Sequence, residues 1–146
     1  MLDFDVEKKK FYDIVGIIHE VHKHLGPGLN ESCYQEAMEL QLIDAAIPYC
    51  REMGFHPTYK GRSLQAAFRI DFLCNHDVIV ECKAIPEINP NHRAQLFNYM
   101  RLLEKPCGIL VNFLPKYADI ERYLYDKKTK NILGMDGRII KNFIDV

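Results

Sequence analysis

Apolar residues recur with a helical period over the opening stretch of the chain. Val6, Phe11, Ile14, Val15, Ile18, Val21, His22 and Leu25 fall near a 3.6-residue repeat, which predicts a helix over about 6–25. Gly26-Pro27-Gly28 ends it, because glycine accepts a left-handed stop and proline cannot extend the hydrogen-bond ladder. A second helix is expected to start around Leu29 to Glu31 and to run to about Ala46, with Asn30 as its N-cap and Glu31 favoured beside the positive helix end. Its buried stripe reads as Cys33, Ala37, Leu40 and Ile43, and Ile47-Pro48 closes it.

The period then shortens. Cys50 to Tyr59 reads as an irregular strand or two half-strands, and Lys60-Gly61-Arg62 as a turn. Ser63 to Cys74 reads as one strand and Val78 to Ala84 as the next, joined by a short hairpin at Asn75-His76-Asp77. After a loop containing Pro86 and Pro90, a third helix is predicted from Asn91 to Leu103 or Glu104, capped by Asn89 or Asn91. Gly108 to Phe113 is a short apolar run suited to a buried strand, and a short strand or helix is expected around Ile120 to Tyr125. The order is helix, helix, antiparallel strands, helix, strand. That order predicts an α/β fold with helices packed on a mixed sheet, and the length of 146 residues predicts one domain over 1–146.

Composition narrows the function classes. No apolar stretch approaches the roughly 18 residues of a membrane span. The start, Met1-Leu2-Asp3-Phe4-Asp5 followed by Lys8-Lys9-Lys10, lacks the pattern of a signal peptide, so a cytoplasmic protein is expected. Cys33, Cys50, Cys74, Cys82 and Cys107 are scattered and form no C-x-x-C pair, which favours plain thiols over a zinc or redox site. The formal net charge of -1 and pI near 6.6 argue against a strong non-specific nucleic-acid binder. Two readings fit the basic runs at Lys8–Lys10, at Lys127, Lys128 and Lys130, and at Arg138 and Lys141: solvated termini and loops, or a phosphate-facing surface.

The segment with the most chemistry is Arg69-Ile70-Asp71-Phe72-Leu73 followed by Val78-Ile79-Val80-Glu81-Cys82-Lys83-Ala84. Alternate strand residues share a face, so Ile79, Glu81 and Lys83 point one way and Val80, Cys82 and Ala84 the other. Opposite charges one pleat apart in an otherwise apolar strand are costly unless they pair or bind metal. Asp71, on the adjacent strand, is within reach of the same face. Two readings follow. Asp71 and Glu81 are hard oxygen ligands for Mg²⁺ or Mn²⁺ with Lys83 beside them, or Lys83 forms a structural salt bridge with one of the two acids. On the third helix, His92, Gln95 and Tyr99 share a face beside a core stripe of Leu96, Met100 and Leu103, and Glu31 and Tyr34 share a face of the second helix.

Gly28-Leu29-Asn30-Glu31-Ser32-Cys33-Tyr34, with Val21 to Pro27 before it, resembles the signature of the GxxExxY family. Asp71-Phe72-Leu73, Val78 to Lys83, and His92, Gln95 and Tyr99 are similar in order and spacing to the rest of that family, so the resemblance covers about residues 10–113. The family is grouped with the PD-(D/E)XK nuclease superfamily. The resemblance implies a restriction-endonuclease-like mixed sheet, Asp71 and Glu81 as metal ligands, Lys83 as the catalytic lysine, Glu31 as a further acidic site residue, Gln95 as the helical site residue, and the Cys82 carbonyl as a further ligand. Ile70 stands where the superfamily name has proline. The implied function is a Mg²⁺- or Mn²⁺-dependent nuclease acting on DNA or RNA. Its alternatives are a non-catalytic nucleic-acid- or protein-binding module on the same fold, and a metal enzyme acting on a small phosphorylated molecule. A homodimer is compatible with so small a domain.

Overall fold

The computed structural model describes residues 2–144; Met1 of the N-terminal run read above lies outside them, as do Asp145 and Val146. Three helices lead the chain: α1 (Phe4–Lys9), α2 (Phe11–Leu25) and α3 (Glu31–Asp44). Strands β1 (Tyr49–Phe55), β2 (Thr58–Tyr59), β3 (Arg62–Ser63), β4 (Phe68–Cys74) and β5 (Val78–Lys83) follow. Helix α4 (Pro90–Leu103) crosses to β6 (Cys107–Asn112), and β7 (Asp119–Asp126), β8 (Asn131–Leu133) and β9 (Ile139–Asn142) complete the chain. Seven strands form one sheet in the order β1-β4-β5-β6-β7-β8-β9, while β2 and β3 pair separately. All pairings in the large sheet are antiparallel except β5 with β6, which run parallel because α4 connects them. The mixed α/β architecture expected from the order of elements is the one found.

The two faces of the sheet carry separate cores. Phe72, Val78, Val80, Cys82, Ile109 and Val111 pack under α2 and α3 with Phe11, Ile14, Ile18, Met38 and Leu42. Ile70, Ile79, Leu110 and Tyr125 pack under α4 with Leu96, Phe97 and Met100. The alternation expected along β5 holds: Val78, Val80 and Cys82 face one core, and Ile79 faces the other. At the centre, β5 and β6 are buried along nearly their full length, as a parallel pair covered on both faces should be. Helix α4 lies so close to β6 that a Cβ on Gly108 would run into the Met100 side chain. Arg93 of α4 forks onto Glu121 of β7, Nε to Oε1 at 2.7 Å and the terminal nitrogen to Oε2 at 2.9 Å, which fixes the helix across the sheet.

Four expectations are corrected. The first helix is two, parted at Lys10, whose ammonium bonds Glu7 at 2.9 Å and Asp77 of the β4–β5 hairpin at 2.8 Å. The inward stripe of α3 is Tyr34, Gln35, Met38 and Leu42, whereas Leu40 and Ile43 are exposed. Helix α3 is weakly amphipathic by sequence, and its rotation is set by Tyr34, whose hydroxyl donates to the Gly26 carbonyl (2.6 Å) and accepts from the Leu29 N–H (3.1 Å). The strand expected over Ser63–Cys74 divides into β3 and β4, with exposed residues between them. Finally, a β8–β9 hairpin extends the sheet where no element was expected. No helix among the described residues is long and apolar enough to cross a membrane.

Candidate functional site

The β4–β5 ladder stops at the Phe72–Val80 pair. Beyond it two carboxylates replace the missing strand-to-strand bonds. The Asp71 backbone N–H donates to Glu81 Oε2 at 2.8 Å, and the Cys82 backbone N–H donates to Asp71 Oδ2 at 2.8 Å. Each acid therefore satisfies the neighbouring strand's main chain, and the parted strands leave a place where both side chains meet. Glu81 is 4% exposed, so its charge is held almost out of water. Burial, aided by the Asp71 charge, pushes its carboxyl up to about 8. Asp71 is raised too, by burial first, although the Cys82 N–H, the Glu81 carboxyl and Lys83 pull the other way. Two acids side by side, one buried and one half-buried, cannot both ionise cheaply, and burial together with the Asp71 charge favours the proton on Glu81.

Lys83 ends β5 one pleat beyond Glu81, and its charge is felt by Asp71, Glu81 and Glu31. Among the described residues, no ion pair within 4.0 Å joins Lys83 to any of these acids. The structural salt-bridge reading of the strand therefore lacks its contact. Just beyond Lys83 the chain is clamped by Asn112, which is buried at the end of β6: its amide donates to the Ile85 carbonyl (2.8 Å) and accepts from the Ile85 N–H (3.1 Å).

Glu31 reaches the same region from the start of α3. The Asn30 side chain caps that helix by accepting from the Cys33 N–H at 3.1 Å. Gly28 supplies the left-handed turn before it (φ 85°), and the fully buried Tyr34 locks the turn. Tyr34 in turn stacks on Phe113 at 4.6 Å. The Gly-x-x-Glu-x-x-Tyr spacing thus has a local cause: turn, site acid and anchor. Burial raises the Glu31 carboxyl, Asp71 raises it further, and Lys83 and the amide of Gln35 oppose the shift.

Helix α4 closes the other side. Tyr99 is buried, feels the charges of Glu81 and Asp71, and interacts with Gln95 one turn earlier. His92 is drawn off to the helix start, where its Nδ1 accepts from the Asn89 N–H at 3.1 Å as half of a capping box. The Cys82 thiol faces away toward Met38 Sδ (3.7 Å), so the part of this residue nearest the acids is its main chain. Burial also raises the Cys74 and Cys82 thiols, which keeps them protonated and inert.

Two residues near the site were not foreseen. Gln35, buried beside Glu31, occupies a position where the expected stripe placed solvent. Glu52 has a left-handed backbone (φ 53°) and lies between the Arg51–Phe72 and Met53–Ile70 pairs, opposite Asp71, whose charge it opposes. Neither carries a sequence signal, since register and rotation place both. The Lys10 and Lys127–Lys128 clusters gather around Asp77 and Pro106, at the end of the sheet remote from Lys83, so they do not line this site.

The donor set suits a hard cation in part. Asp71 and Glu81 are adjacent carboxylates with an unrelieved burial cost, while no group of three or more His, Cys, Asp or Glu among the described residues is arranged to hold a metal ion. A Mg²⁺-type ion is commonly held by one or two carboxylates, its remaining ligands being waters and substrate phosphate. The pair is therefore an adequate protein contribution to such a site.

A family model described as the PD-(D/E)XK nuclease superfamily matches residues 8–123. No curated protein and no solved structure matches the chain.

Proposed function

Because the chain belongs to the PD-(D/E)XK nuclease superfamily, whose members generally use divalent metals on nucleic acids, we propose that it is a Mg²⁺- or Mn²⁺-dependent nuclease that hydrolyses phosphodiester bonds of DNA or RNA. The observation that carries the reading is the interlocked acid pair: Asp71 and Glu81 each bonded to the other strand's main chain, with Lys83 one pleat away. Asp71, Glu81 and the Cys82 carbonyl would hold the ion, with Glu31 beside them. When bound, the cation supplies Lewis acidity at a phosphoryl oxygen and lowers the pKa of a bound water. Lys83 orients the attacking water and balances charge on the phosphorus-centred transition state. Gln95, steadied by Tyr99, donates to a phosphate oxygen. Gly28, Glu31 and Tyr34 support the finer kinship with the GxxExxY family, and five unbridged thiols suit a reducing, cytoplasmic setting for a chain we read as one domain.

The test is cleavage of single- and double-stranded DNA and RNA in Mn²⁺, in Mg²⁺ and in EDTA, beside Lys83→Ala. Metal-dependent cleavage that disappears in the variant upholds the proposal. A folded wild-type protein that cuts none of these substrates in either metal would move the assignment to a binding module.

A further inference from the structure

The longest run of the chain without Asp or Glu lies between Glu52 and Asp71, two residues that meet at the candidate site. In a protein with 20 acids, these eighteen residues hold Lys60, Arg62 and Arg69, together with His56. They form an arm. Strand β1 leaves the sheet after Phe55, the β2–β3 pair turns through Lys60 (φ 50°) and Gly61 (φ 78°), and the chain re-enters at Phe68. The Leu64 N–H to Pro57 carbonyl bond (2.9 Å) closes the arm, and His56 Nδ1 lies 3.1 Å from the Ala66 carbonyl. Every residue from Thr58 to Arg69 is exposed.

The root of the arm touches the site. Phe55 and Phe68, the last β1–β4 pair, lie 5.8 Å apart, and both rings contact Tyr99, at 5.8 and 6.1 Å. Tyr99 in turn sits in the field of Glu81 and Asp71. The β4 strand then runs from Phe68 into Asp71 within three residues. At the tip, the Tyr59 ring is 61% exposed, with the Lys60 ammonium 5.4 Å from its centroid.

We infer that the 56–69 arm grips single-stranded nucleic acid and leads it to the Asp71–Glu81 centre, with an unpaired base stacked on Tyr59 and phosphates on Lys60, Arg62 and Arg69. The inference takes its substrate class from the nuclease reading above. Three cations that form no ion pair within 4.0 Å among the described residues match a phosphate backbone in charge. An exposed aromatic face among them is of use to an unstacked base, whereas the bases of a duplex are already stacked. The arm thereby gives a nearly neutral protein a local positive surface at the end of the sheet where Lys83 lies.

The test is binding in EDTA, where the metal-dependent reaction is off, followed by fluorescence anisotropy of labelled oligothymidylate, oligouridylate and a blunt duplex. The wild-type protein is expected to prefer a single strand, and the two homopolymers report which sugar it favours. Tyr59→Ala should weaken that binding about 5- to 150-fold, and Tyr59→Phe should restore it. The double variant Lys60→Ala/Arg62→Ala should lower the slope of log affinity against log salt by about 1.4, for two lost phosphate contacts. Lys127→Ala/Lys128→Ala, at the remote end, should leave affinity and slope unchanged, and circular dichroism should show every variant folded. Equal affinity for the duplex, or an unchanged slope with unchanged Tyr59→Ala affinity, overturns the arm. Neither result alters the cleavage assay, which tests the nuclease reading separately.

Discussion

Tyr34 shows how one side chain can serve the site without touching chemistry. Its hydroxyl bonds the Gly26 carbonyl and the Leu29 N–H, so it fixes the turn that presents Asn30 and Glu31. Tyr34→Phe keeps the ring stack on Phe113 but strands both main-chain groups, and should cost about 1–3 kcal/mol in urea unfolding. An unchanged midpoint would show that water replaces the bond without penalty. Lys83 and Glu81 make a contrasting pair under the proposed roles. Lys83→Ala should remove turnover at least a hundredfold, on the scale of about 10²–10³ for a lost electrostatic contact, while metal affinity by calorimetry stays near wild type. Glu81→Ala should weaken both. Unfolding of either variant, seen by circular dichroism, would instead favour a structural role for the strand's charges. Asp71, Glu81 and Lys83 were legible as a group because charge inside an apolar strand is rare. Gln35 and Glu52 were not, because each is an ordinary polar residue until rotation and register bring it beside the acids.

At the scale of elements, α4 and the β5–β6 pair act as one unit. The close approach at Gly108 leaves no room for a methyl group between β6 and Met100. Gly108→Ala should therefore overpack this contact and cost about 1–3 kcal/mol, measured by thermal or chemical denaturation. A fully stable variant would mean that Met100 can swing aside. Since Gln95 and Tyr99 ride on the same helix, the displacement should also lower any cleavage rate. The helices themselves were readable from periodicity and capping: Asn30 and Asn89 cap where expected. The inward face of α3 was misread because Cys33, Ala37, Leu40 and Ile43 form as regular a stripe as Tyr34, Met38 and Leu42. The hydroxyl lock of Tyr34 chooses between them, and that bond spans a turn that no helical period describes.

For the whole molecule, the buried acids make stability depend on pH. Glu81 holds its proton up to about 8 when folded but releases it near 4.5 when unfolded. Its folded pKa is the higher one, so its contribution is full below about 4.5 and is lost as pH rises toward 8. The raised Asp71 and Glu31 act in the same direction, while Glu121, lowered chiefly by its hydrogen bond to Arg93, contributes fully above its unfolded value and loses that contribution as pH falls through its lower folded one. The metal-free melting temperature should thus fall between pH 5 and 8, by a loss on the order of a few kcal/mol, and Glu81→Gln should flatten that slope. Added Mg²⁺ or Mn²⁺ should restore stability, more so at pH 8 than at pH 6, because the cation competes with the proton. A melting temperature that rises steadily from pH 5 to 8 without metal would contradict the buried pair.

By itself the sequence determined the class of fold and the residues with unusual chemistry. Periodicity distinguishes helix from strand locally, and Asp71, Glu81 and Lys83 stand out as charges against their apolar strand neighbours. Tertiary structure decided which faces and which ends meet. Strand parting beyond Phe72 and Val80 set Asp71 and Glu81 against each other, the Tyr34 lock turned α3, and register carried Lys10 and Lys127 to one end of the sheet and Lys60 and Arg62 to the other. These outcomes depend on contacts between residues distant in the chain, whose energies appear in no local pattern of hydrophobicity or charge.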